Sequence, residues 1–387
     1  MLAAPTDDEP GAVFTADERM VPTVPRERSY STPELLSLER QIIDHALRAR
    51  GEPVSPRAER AVERAIEKRP TLADEQAAMI RRLVLDPAGV AVVVGQAGTG
   101  KTFALAAARE AWEASGHRVV GAALARRAAR ELEHGAGIES TSLTALLEQL
   151  RRHPLSVLGR RGVLVIDEAA MVSTRELAEV VEHVQRANAK LVLVGDHRQL
   201  PEIGAGGAFR GLLTRVPVIE LSENRRQAAE WEREALALVR RGSASEAIGA
   251  YDRHERIVAG EDAAQLRQRI VADWWAAGDP DDALMIAHRR VDVGDLNGRA
   301  HAVMRAGGLL GGESLATAAG DVCVGERVVL RRNDAAVNVV NGDRGTIDGI
   351  DGGAGEVTVA LGDRRVTLGP DYLERPDRHG RPALEYG

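Results

Sequence analysis

The stretch that most constrains the fold lies at residues 90–102 and reads VAVVVGQAGTGKT. Its first five residues are apolar without alternation, which is typical of a strand buried on both faces of a parallel sheet. The following residues match G-x-x-x-x-G-K-[ST], a pattern whose glycines let successive main-chain N–H groups face a phosphate. This predicted phosphate-binding loop consists of Gly95, Gln96, Ala97, Gly98, Thr99, Gly100, Lys101 and Thr102.

The loop predicts binding of ATP and Mg²⁺. Lys101 supplies a positive charge for the β- and γ-phosphates, and the Thr102 hydroxyl can ligate Mg²⁺. The helical run Phe103–Ala114 would point its positive end at the same anion. The alternative is a glycine turn that joins strand to helix and binds nothing. Because the chain contains only three lysines, a chance match to this pattern is rare.

Strand and helix patterns alternate from Val90 onward, which predicts a doubly wound parallel α/β sheet with ligands at the carboxyl ends of its strands. Before Val90 the sequence favours helices that start near Ser31–Glu34, at about 56–69, and between Thr71 and Leu85. The predicted strands are 90–94, 118–123, 163–166, 191–194 and 217–221, and the predicted helices are 101–114, 126–133, 141–151 and 175–187.

The pattern changes in the second half of the chain. Helices at 228–241 and 262–276, followed by a strand at 283–287, predict the start of a second α/β unit. Residues 322–368 contain short β-rich runs separated by turn residues, which indicates a small antiparallel barrel. These turns fall at Asn341-Gly342, Gly352-Gly353 and Gly362-Asp363.

Two further strands end in polar residues suited to phosphate chemistry. Asp167 and Glu168 follow the run VLVI; in a phosphate-loop protein the first acid holds Mg²⁺ and the second polarises the attacking water. The alternative is a pair of acids that caps the next helix. Gln199 follows the strand LVLV, which would bring its amide beside the γ-phosphate as a sensor of hydrolysis.

Composition restricts the class of protein. The net charge is −7 and aromatic residues are 3% of the chain, so any nucleic-acid contact must come from a local groove with little base stacking. One cysteine excludes an internal disulfide, and we expect a cytoplasmic protein. No apolar run approaches the ~20 residues that span a bilayer, so no membrane partner is expected.

Motifs in this order resemble those of superfamily 1 DNA helicases of the RecD-like branch. They are the loop with Lys101 and Thr102, IDEAAMVS at 166–173, GDHRQLP at 195–201 and LSENRRQ at 221–227. The sequence around these motifs resembles the helicase half of conjugative relaxases of the TraA/TraI type. Further matching stretches are STPELLSLE at 31–39, ALMIAHRRVDVGDLN at 283–297 and VVNGDRGTI at 339–347.

The resemblance implies roles for individual residues. Gln76 in LADEQAAMI corresponds to the glutamine that contacts adenine, unless it is a solvated helix residue. Lys101, Glu168 and Gln199 become catalytic residues, and Thr102 and Asp167 become metal ligands. The arginine that stabilises charge on the transferring phosphoryl group falls on Arg226, although Arg225 is adjacent.

The resemblance also implies a path for single-stranded DNA. The stretches ALARRAA at 123–129 and STSL at 140–143 match motifs that hold DNA phosphates without reading bases. The predicted DNA-binding residues are Arg126, Arg127, Thr141 and Ser142. The alternative is a solvated helix face that carries arginines.

The implied fold is a RecA-like sheet with a second, incomplete RecA-like unit and a small SH3-like β-barrel insertion. We expect both ends of the chain to look truncated relative to the family, and unwinding to be impaired. The expected divisions are a disordered linker (1–30), a helical lead (31–70), an ATPase domain (71–221), a partial second domain (222–321), the barrel (322–370) and a return to the second domain (371–387).

The resemblance implies an ATP-dependent helicase core that moves 5′→3′ on single-stranded DNA, with a relaxase domain and the conjugation machinery as partners. Two alternatives stay open. One is a RecD-like repair helicase without a link to conjugation. The other is a remnant that binds nucleotide or DNA and performs no work.

Overall fold

The computed structural model describes residues 12–14, 20–22, 31–48, 55–159, 161–199, 207–278, 283–376 and 380–386. The chain divides into two compact units, Met1–Glu234 and Ala235–Gly387. Of the predicted linker 1–30, the described residues form two short antiparallel strands, β1 and β2, which the sequence did not predict; the rest lies outside the described residues. These strands are β1 Ala12–Phe14 and β2 Met20–Pro22.

The first unit is built on a six-stranded parallel sheet in the order β5-β4-β6-β7-β3-β8. All six residues of β3 are buried, as its uninterrupted apolar run requires. The predicted strands are confirmed, and one short strand, β5, was not predicted. The bounds are β3 Val90–Gly95, β4 Val119–Ala123, β5 Ser140–Ser142, β6 Val163–Asp167, β7 Lys190–Gly195 and β8 Val218–Leu221.

Helices cover both faces of this sheet. Alternate residues of β3 point to opposite faces, so Val92 packs in one apolar core and Val93 in the other. Helices α1, α6, α8 and α9 line the first core, and α2, α3, α4 and α5 line the second. The helices are α1 Pro33–Arg48, α2 Pro56–Glu67, α3 Asp74–Leu85, α4 Lys101–Ala114, α5 Arg126–Ala136, α6 Leu143–Arg152, α7 Pro154–Leu158, α8 Thr174–Ala187 and α9 Ala208–Leu213. A further helix, α10 Glu230–Arg240, includes the boundary between the two units at Glu234 and Ala235.

This arrangement confirms the RecA-like α/β fold class. Because all six strands run parallel, their carboxyl ends meet at one edge of the sheet. The loops after β3, β6 and β7 therefore converge there, and these are the three loops in which the sequence places its phosphate chemistry.

The second unit combines helices with antiparallel strands. Its hairpin β9–β10 is separate from a five-stranded sheet in the order β14-β13-β12-β11-β15. The elements are α11 Ala244–Arg253, α12 Ala263–Ala276, α13 Arg290–Ala306, β9 Ser314–Thr317, β10 Gly320–Cys323, β11 Arg327–Leu330, β12 Arg344–Asp351, β13 Glu356–Leu361, β14 Arg364–Leu368, α14 Pro370–Leu373 and β15 Leu384–Tyr386.

The predicted strand at 283–287 is wrong. These residues form no ladder with any described part of the chain, and Leu284 and Ile286 are 59% and 84% exposed. An apolar run becomes a strand only where a neighbour supplies hydrogen-bond partners, and sequence periodicity cannot show that neighbour. The described residues of the predicted partial domain 222–321 accordingly contain no parallel strand, and residues 222–234 belong to the first unit.

The antiparallel character of 322–370 is confirmed, with tight turns at the predicted positions. Within the described residues the hydrogen-bonded order is linear and ends at β14 and β15, so closure into an SH3-like barrel stays a prediction. The predicted return of 371–387 to a second RecA-like sheet is wrong, because β15 instead pairs with β11. Leu384 is buried there in the core of the antiparallel sheet, which explains the pairing. No described helix is both long and apolar enough to span a bilayer.

Candidate nucleotide and DNA site

The phosphate-binding loop joins β3 directly to α4. Gly98 and Gly100 have φ angles of +85° and +74°, a region that glycine adopts without strain. A side chain at residue 98 would also collide with its neighbours, because a Cβ there would lie 2.7 Å from the Cβ of Arg226. The glycines of the pattern thus allow both the turn and the close approach of the segment around Arg226.

Lys101 is the first residue of α4 and lies at the mouth of the loop. Its ammonium Nζ donates to the main-chain carbonyls of Gly95 and Gln96 at 2.7 and 3.0 Å. These carbonyls hold the Lys101 ammonium inside the loop, where the phosphates of a bound nucleotide would compete with them for its hydrogen bonds.

Two carboxylates follow β6 at the same edge of the sheet. Asp167 ends the strand, and its Oδ1 accepts a hydrogen bond of 2.9 Å from the main-chain N–H of Glu168. Glu168 has a φ of +54°, a left-handed conformation that is uncommon for a residue with a side chain. The turn at Glu168 separates the strand from the 3-10 turn Ala169–Met171 and directs the chain away from the sheet.

The electrostatics of these acids are those of a crowded anionic site. Burial raises the pKa of the Asp167 carboxyl, and the charge of Glu131 adds to this effect while Lys101 opposes it. Burial also raises the pKa of Glu168, and the charges of Asp167 and Glu131 act in the same direction. A divalent cation would relieve this repulsion.

The donor set fits Mg²⁺. The Thr102 hydroxyl and the Asp167 carboxylate line the same cleft, and hard oxygen donors are the ligands that Mg²⁺ prefers. Phosphate oxygens and water would supply the remaining oxygen ligands of the cation. The residues therefore fit the predicted metal.

The loop after β7 brings Gln199 to the cleft. Asp196, which is only 4% exposed, accepts a 3.0 Å hydrogen bond from the N–H of Arg198 through Oδ1, and its carbonyl accepts from the N–H of Gln199 at 3.1 Å. This turn projects the exposed Gln199 side chain into the cleft. The remainder of that loop, residues 200–206, lies outside the described residues.

All these groups line one cleft of about 550 Å³. The structure thus brings together the loop, both acids, the glutamine and the arginines that the sequence singled out. The lining residues are Gln96, Ala97, Gly98, Gly100, Lys101, Thr102, Glu131, Asp167, Glu168, Gly195, Asp196, Gln199, Arg225 and Arg226.

The two adjacent arginines make different contacts. Arg225 is held in place, because its main-chain N–H donates to Gly98 O at 2.9 Å and its guanidinium donates to Thr71 O at 3.1 Å. The guanidinium of Arg226 forms no hydrogen bond or ion pair within the described residues. Both belong to the first unit, although the expected division assigned them to the partial second domain 222–321.

Glu75 explains why the segment after β8 stays beside the loop. Its carboxylate accepts hydrogen bonds from the main-chain N–H groups of Ser222 and Glu223, each at 3.0 Å. Helix α3 therefore positions the segment that carries both arginines.

Gln76 is buried rather than solvated, with 2% of its surface exposed. Its Oε1 accepts from Ala73 N at 3.0 Å, and its Nε2 donates to Thr99 O at 2.8 Å. Both ends of the amide are thus bonded to main chain, so Gln76 positions the phosphate loop. Contact with adenine stays a prediction.

The predicted DNA-binding residues lie outside the nucleotide cleft. Arg126 and Arg127 begin α5 and are exposed, whereas Thr141 and Ser142 lie in β5 and are partly buried. Ser142 has a local structural task, since its Oγ accepts from Ala145 N and caps α6.

Sequence reasoning missed Glu131, Glu75 and Asp196. Glu75 is adjacent to the predicted Gln76, and Asp196 precedes the predicted Gln199 by three residues. Their positions next to predicted site residues could have indicated that they belong to the site. No sequence pattern indicated Glu131, because its approach to the cleft depends on how α5 packs.

The sequence of this chain is similar to those of several known proteins. A family model described as an AAA domain matches residues 71–262. The conjugal transfer protein TraA of Agrobacterium fabrum is 39% identical over 297 residues, which is 76% of this chain and 27% of that protein. TraA of Rhizobium radiobacter is 38% identical over 87% of this chain and 31% of its own length. The RecD2 DNA helicase of Deinococcus radiodurans is 31% identical over 41% of this chain and 22% of that protein.

The chain resembles the RecD-like superfamily 1 helicase part of conjugal transfer proteins. The fold agrees with this resemblance. A Pif1 helicase from a study of unwinding at forked double-stranded DNA aligns over 82% of this chain and 81% of its own, with a TM-score of 0.53 and 17% identity. The chain spans less than a third of the length of these curated relatives.

Proposed function

We propose that this chain is a RecD-like helicase motor that hydrolyses ATP with Mg²⁺ and moves 5′→3′ along single-stranded DNA. The observation that carries the proposal is the single cleft in which the phosphate loop, Asp167, Glu168, Gln199 and Arg226 meet. A glycine turn without a ligand would not require acids and arginines from three other loops at the same place.

The residues divide the chemistry of phosphoryl transfer among themselves. Lys101 and the loop N–H groups neutralise the β- and γ-phosphates, and Thr102 and Asp167 would hold Mg²⁺, which supplies further charge neutralisation. Glu168 accepts the proton of the attacking water. Its pKa, raised by burial, brings it closer to the operating pH, which favours a general base.

Two side chains then respond to the γ-phosphate. Arg226 is directed to the cleft without a described partner, which suits a group that stabilises charge on the transferring phosphoryl. Gln199 contacts the same phosphate and reports its loss to the loop after β7.

For DNA, Arg126 and Arg127 supply phosphate contacts, with Thr141 and Ser142 as nearby hydroxyl donors. The exposure of Arg126 and Arg127 after the carboxyl end of β4, beside β5, supports this proposal. A solved Bacteroides Pif1 bound to single-stranded DNA, with a TM-score of 0.51, shares the fold and supports the same substrate class.

The biological setting that we propose is conjugation, with a relaxase domain as partner, and a cytoplasmic location. The TraA relatives match 76–87% of this chain at 38–39% identity, whereas the RecD2 DNA helicase matches 41% of it at 31%. The higher identity and coverage of the conjugal transfer proteins support the conjugation setting.

The test is hydrolysis of ATP by the purified chain with Mg²⁺, measured with and without oligo-dT. We expect turnover that oligo-dT stimulates, and movement that displaces a block from one end of the strand only. A chain that binds nucleotide without any turnover would instead be the inactive remnant.

A further inference from the structure

One face of α5 connects the proposed DNA contact with the nucleotide cleft. Arg127, Glu131 and Gly135 are spaced four residues apart, so they lie along the same side of the helix. Arg127 is exposed near the start of the helix, and Glu131 lines the cleft. Gly135 lies against Thr102, where a Cβ at residue 135 would come within 2.5 Å of the Thr102 methyl carbon.

Arg127 and Glu131 form an ion pair with an Nε–Oε1 distance of 2.9 Å. The side chains are 48% and 67% exposed, so water and salt weaken the attraction. The order is also the less favourable one on a helix, with the cation N-terminal to the acid. A DNA phosphate can therefore draw Arg127 away from Glu131 at small cost.

Glu131 faces the groups that would hold the cation. Its charge already acts on Asp167 and Glu168, the two acids at the end of β6. While Arg127 is paired with it, part of the negative charge of Glu131 is neutralised. Release of Arg127 leaves the full charge of a carboxylate beside the oxygen donors of the proposed Mg²⁺ site.

We propose that the Arg127–Glu131 ion pair couples binding of single-stranded DNA to binding of Mg²⁺-nucleotide. DNA phosphates take Arg127, and the released Glu131 carboxylate strengthens the cation site. The inference rests on the proposed function, because it requires both ligands to bind, but it assigns the coupling to one pair of residues. Glu131 is thus a positioning residue that acts on the site through its charge.

The experiment measures binding, without turnover. The affinity of the full chain for AMP-PNP with Mg²⁺ is measured with and without saturating oligo-dT, and the affinity for oligo-dT with and without AMP-PNP. The coupling factor is the ratio by which one ligand changes the affinity for the other. Thermodynamic linkage requires that oligo-dT changes the affinity for AMP-PNP by the same factor as AMP-PNP changes the affinity for oligo-dT. We expect a factor of about five or more in the unsubstituted chain, in the range typical of coupled sites.

The variants E131Q and R127Q should bring this factor close to one. The matched control is E133Q, which removes an exposed acid two residues away, on another side of α5, and should keep the factor. In the absence of nucleotide, E131Q should bind oligo-dT about twofold more tightly, because Arg127 is no longer shared with a carboxylate. A purely structural role of Glu131 would not produce that gain.

The coupling should also disappear when EDTA removes Mg²⁺. A coupling factor in E131Q equal to that of the unsubstituted chain overturns the inference, and so does an unsubstituted factor of one, while nucleotide and DNA binding stay intact. A chain that binds neither ligand overturns the proposed function together with the coupling. Since both side chains are exposed, equal melting temperatures will verify that the variants fold.

Discussion

The side-chain amide of Gln76 donates to the main-chain carbonyl of Thr99 at 2.8 Å, which fastens helix α3 to the phosphate-binding loop. The same amide accepts from Ala73 N, so the helix start and the loop share one buried side chain. Their neighbour Glu75 holds the segment that carries Arg226. The start of α3 therefore positions two of the parts that face the nucleotide.

Gln76→Ala should lower nucleotide affinity and stability together. It leaves the Thr99 carbonyl and the Ala73 N–H without their buried partner, at a cost of about 1–3 kcal/mol for each group that water cannot reach. Thermal melting and AMP-PNP titration measure the two effects. Gln149→Ala, at an exposed position of α6, is the control and should change neither. Unchanged melting and affinity in Gln76→Ala would show that the amide does not position the loop.

Glu168→Gln should keep ATP binding and lower hydrolysis by a factor of roughly 10²–10⁴, because an amide cannot accept the proton of the attacking water. Single-turnover kinetics with separate measurement of ATP affinity will distinguish the two steps. Turnover within about twofold of the unsubstituted chain would be incompatible with the assignment of Glu168 as general base.

Arg226→Ala should affect catalysis, whereas Arg225→Ala should affect stability. Loss of Arg226 should reduce kcat by roughly 10²-fold or more with little change in ATP affinity, as expected for a group that acts in the transition state. Loss of Arg225, whose guanidinium holds Thr71 O, should mainly lower the melting temperature. The reverse pattern would assign the catalytic role to Arg225.

DNA binding should depend steeply on salt and little on base sequence. The double variant Arg126→Ala/Arg127→Ala should reduce the slope of log affinity against log salt by about 1.4, which is about 0.7 per lost phosphate contact on single strands. Oligo-dT titrations between low and moderate salt give the slope. Equal slopes for the variant and the parent would place the DNA path elsewhere.

The partly buried Lys190 should make the free energy of unfolding depend on pH in the alkaline range. Burial lowers the pKa of its ammonium to about 8, although Nζ donates to Asp86 O at 2.8 Å. Below pH 8 the group is charged in both states, and folding carries the cost of partly removing that charge from water. Between about pH 8 and the ordinary value of 10.5 the folded protein loses the proton first, so the free energy of unfolding gains a favourable contribution as pH rises.

Lys190→Met should therefore raise the urea midpoint at pH 7 and remove this gain at higher pH. Lys68→Met is the matched control, because the Lys68 side chain is 72% exposed and its removal should leave the pH dependence unchanged. A Lys190→Met variant that is less stable than the parent at pH 7 would contradict the burial cost.

Much of the first unit could be predicted, because its determinants are local. Val90–Val94 is apolar at every position, and the glycines and Lys101 that follow leave few alternatives to a strand, a turn and a helix. Parallel topology then implies that Asp167 and Gln199 come to the same edge. The structure places these side chains in one cleft.

The second unit shows what sequence patterns do not contain. The run at 283–287 has the composition of a strand, yet pairing depends on a neighbour that the pattern does not specify. Leu384–Tyr386 carries only a weak pattern and still joins β11, because a buried position for Leu384 exists there. Glu131 was likewise invisible, since its place beside Asp167 follows from the packing of α5.

Steady-state ATP hydrolysis decides whether this chain is a DNA-stimulated motor. The rate is compared between the unsubstituted chain and Lys101→Ala, each with Mg²⁺, in the presence and absence of oligo-dT. We expect oligo-dT to stimulate hydrolysis by the unsubstituted chain. We also expect Lys101→Ala to lose nucleotide binding and turnover, because that variant lacks the charge that neutralises the β- and γ-phosphates. Hydrolysis by Lys101→Ala at the rate of the unsubstituted chain, or turnover in the unsubstituted chain that oligo-dT leaves unchanged, would refute the proposed function.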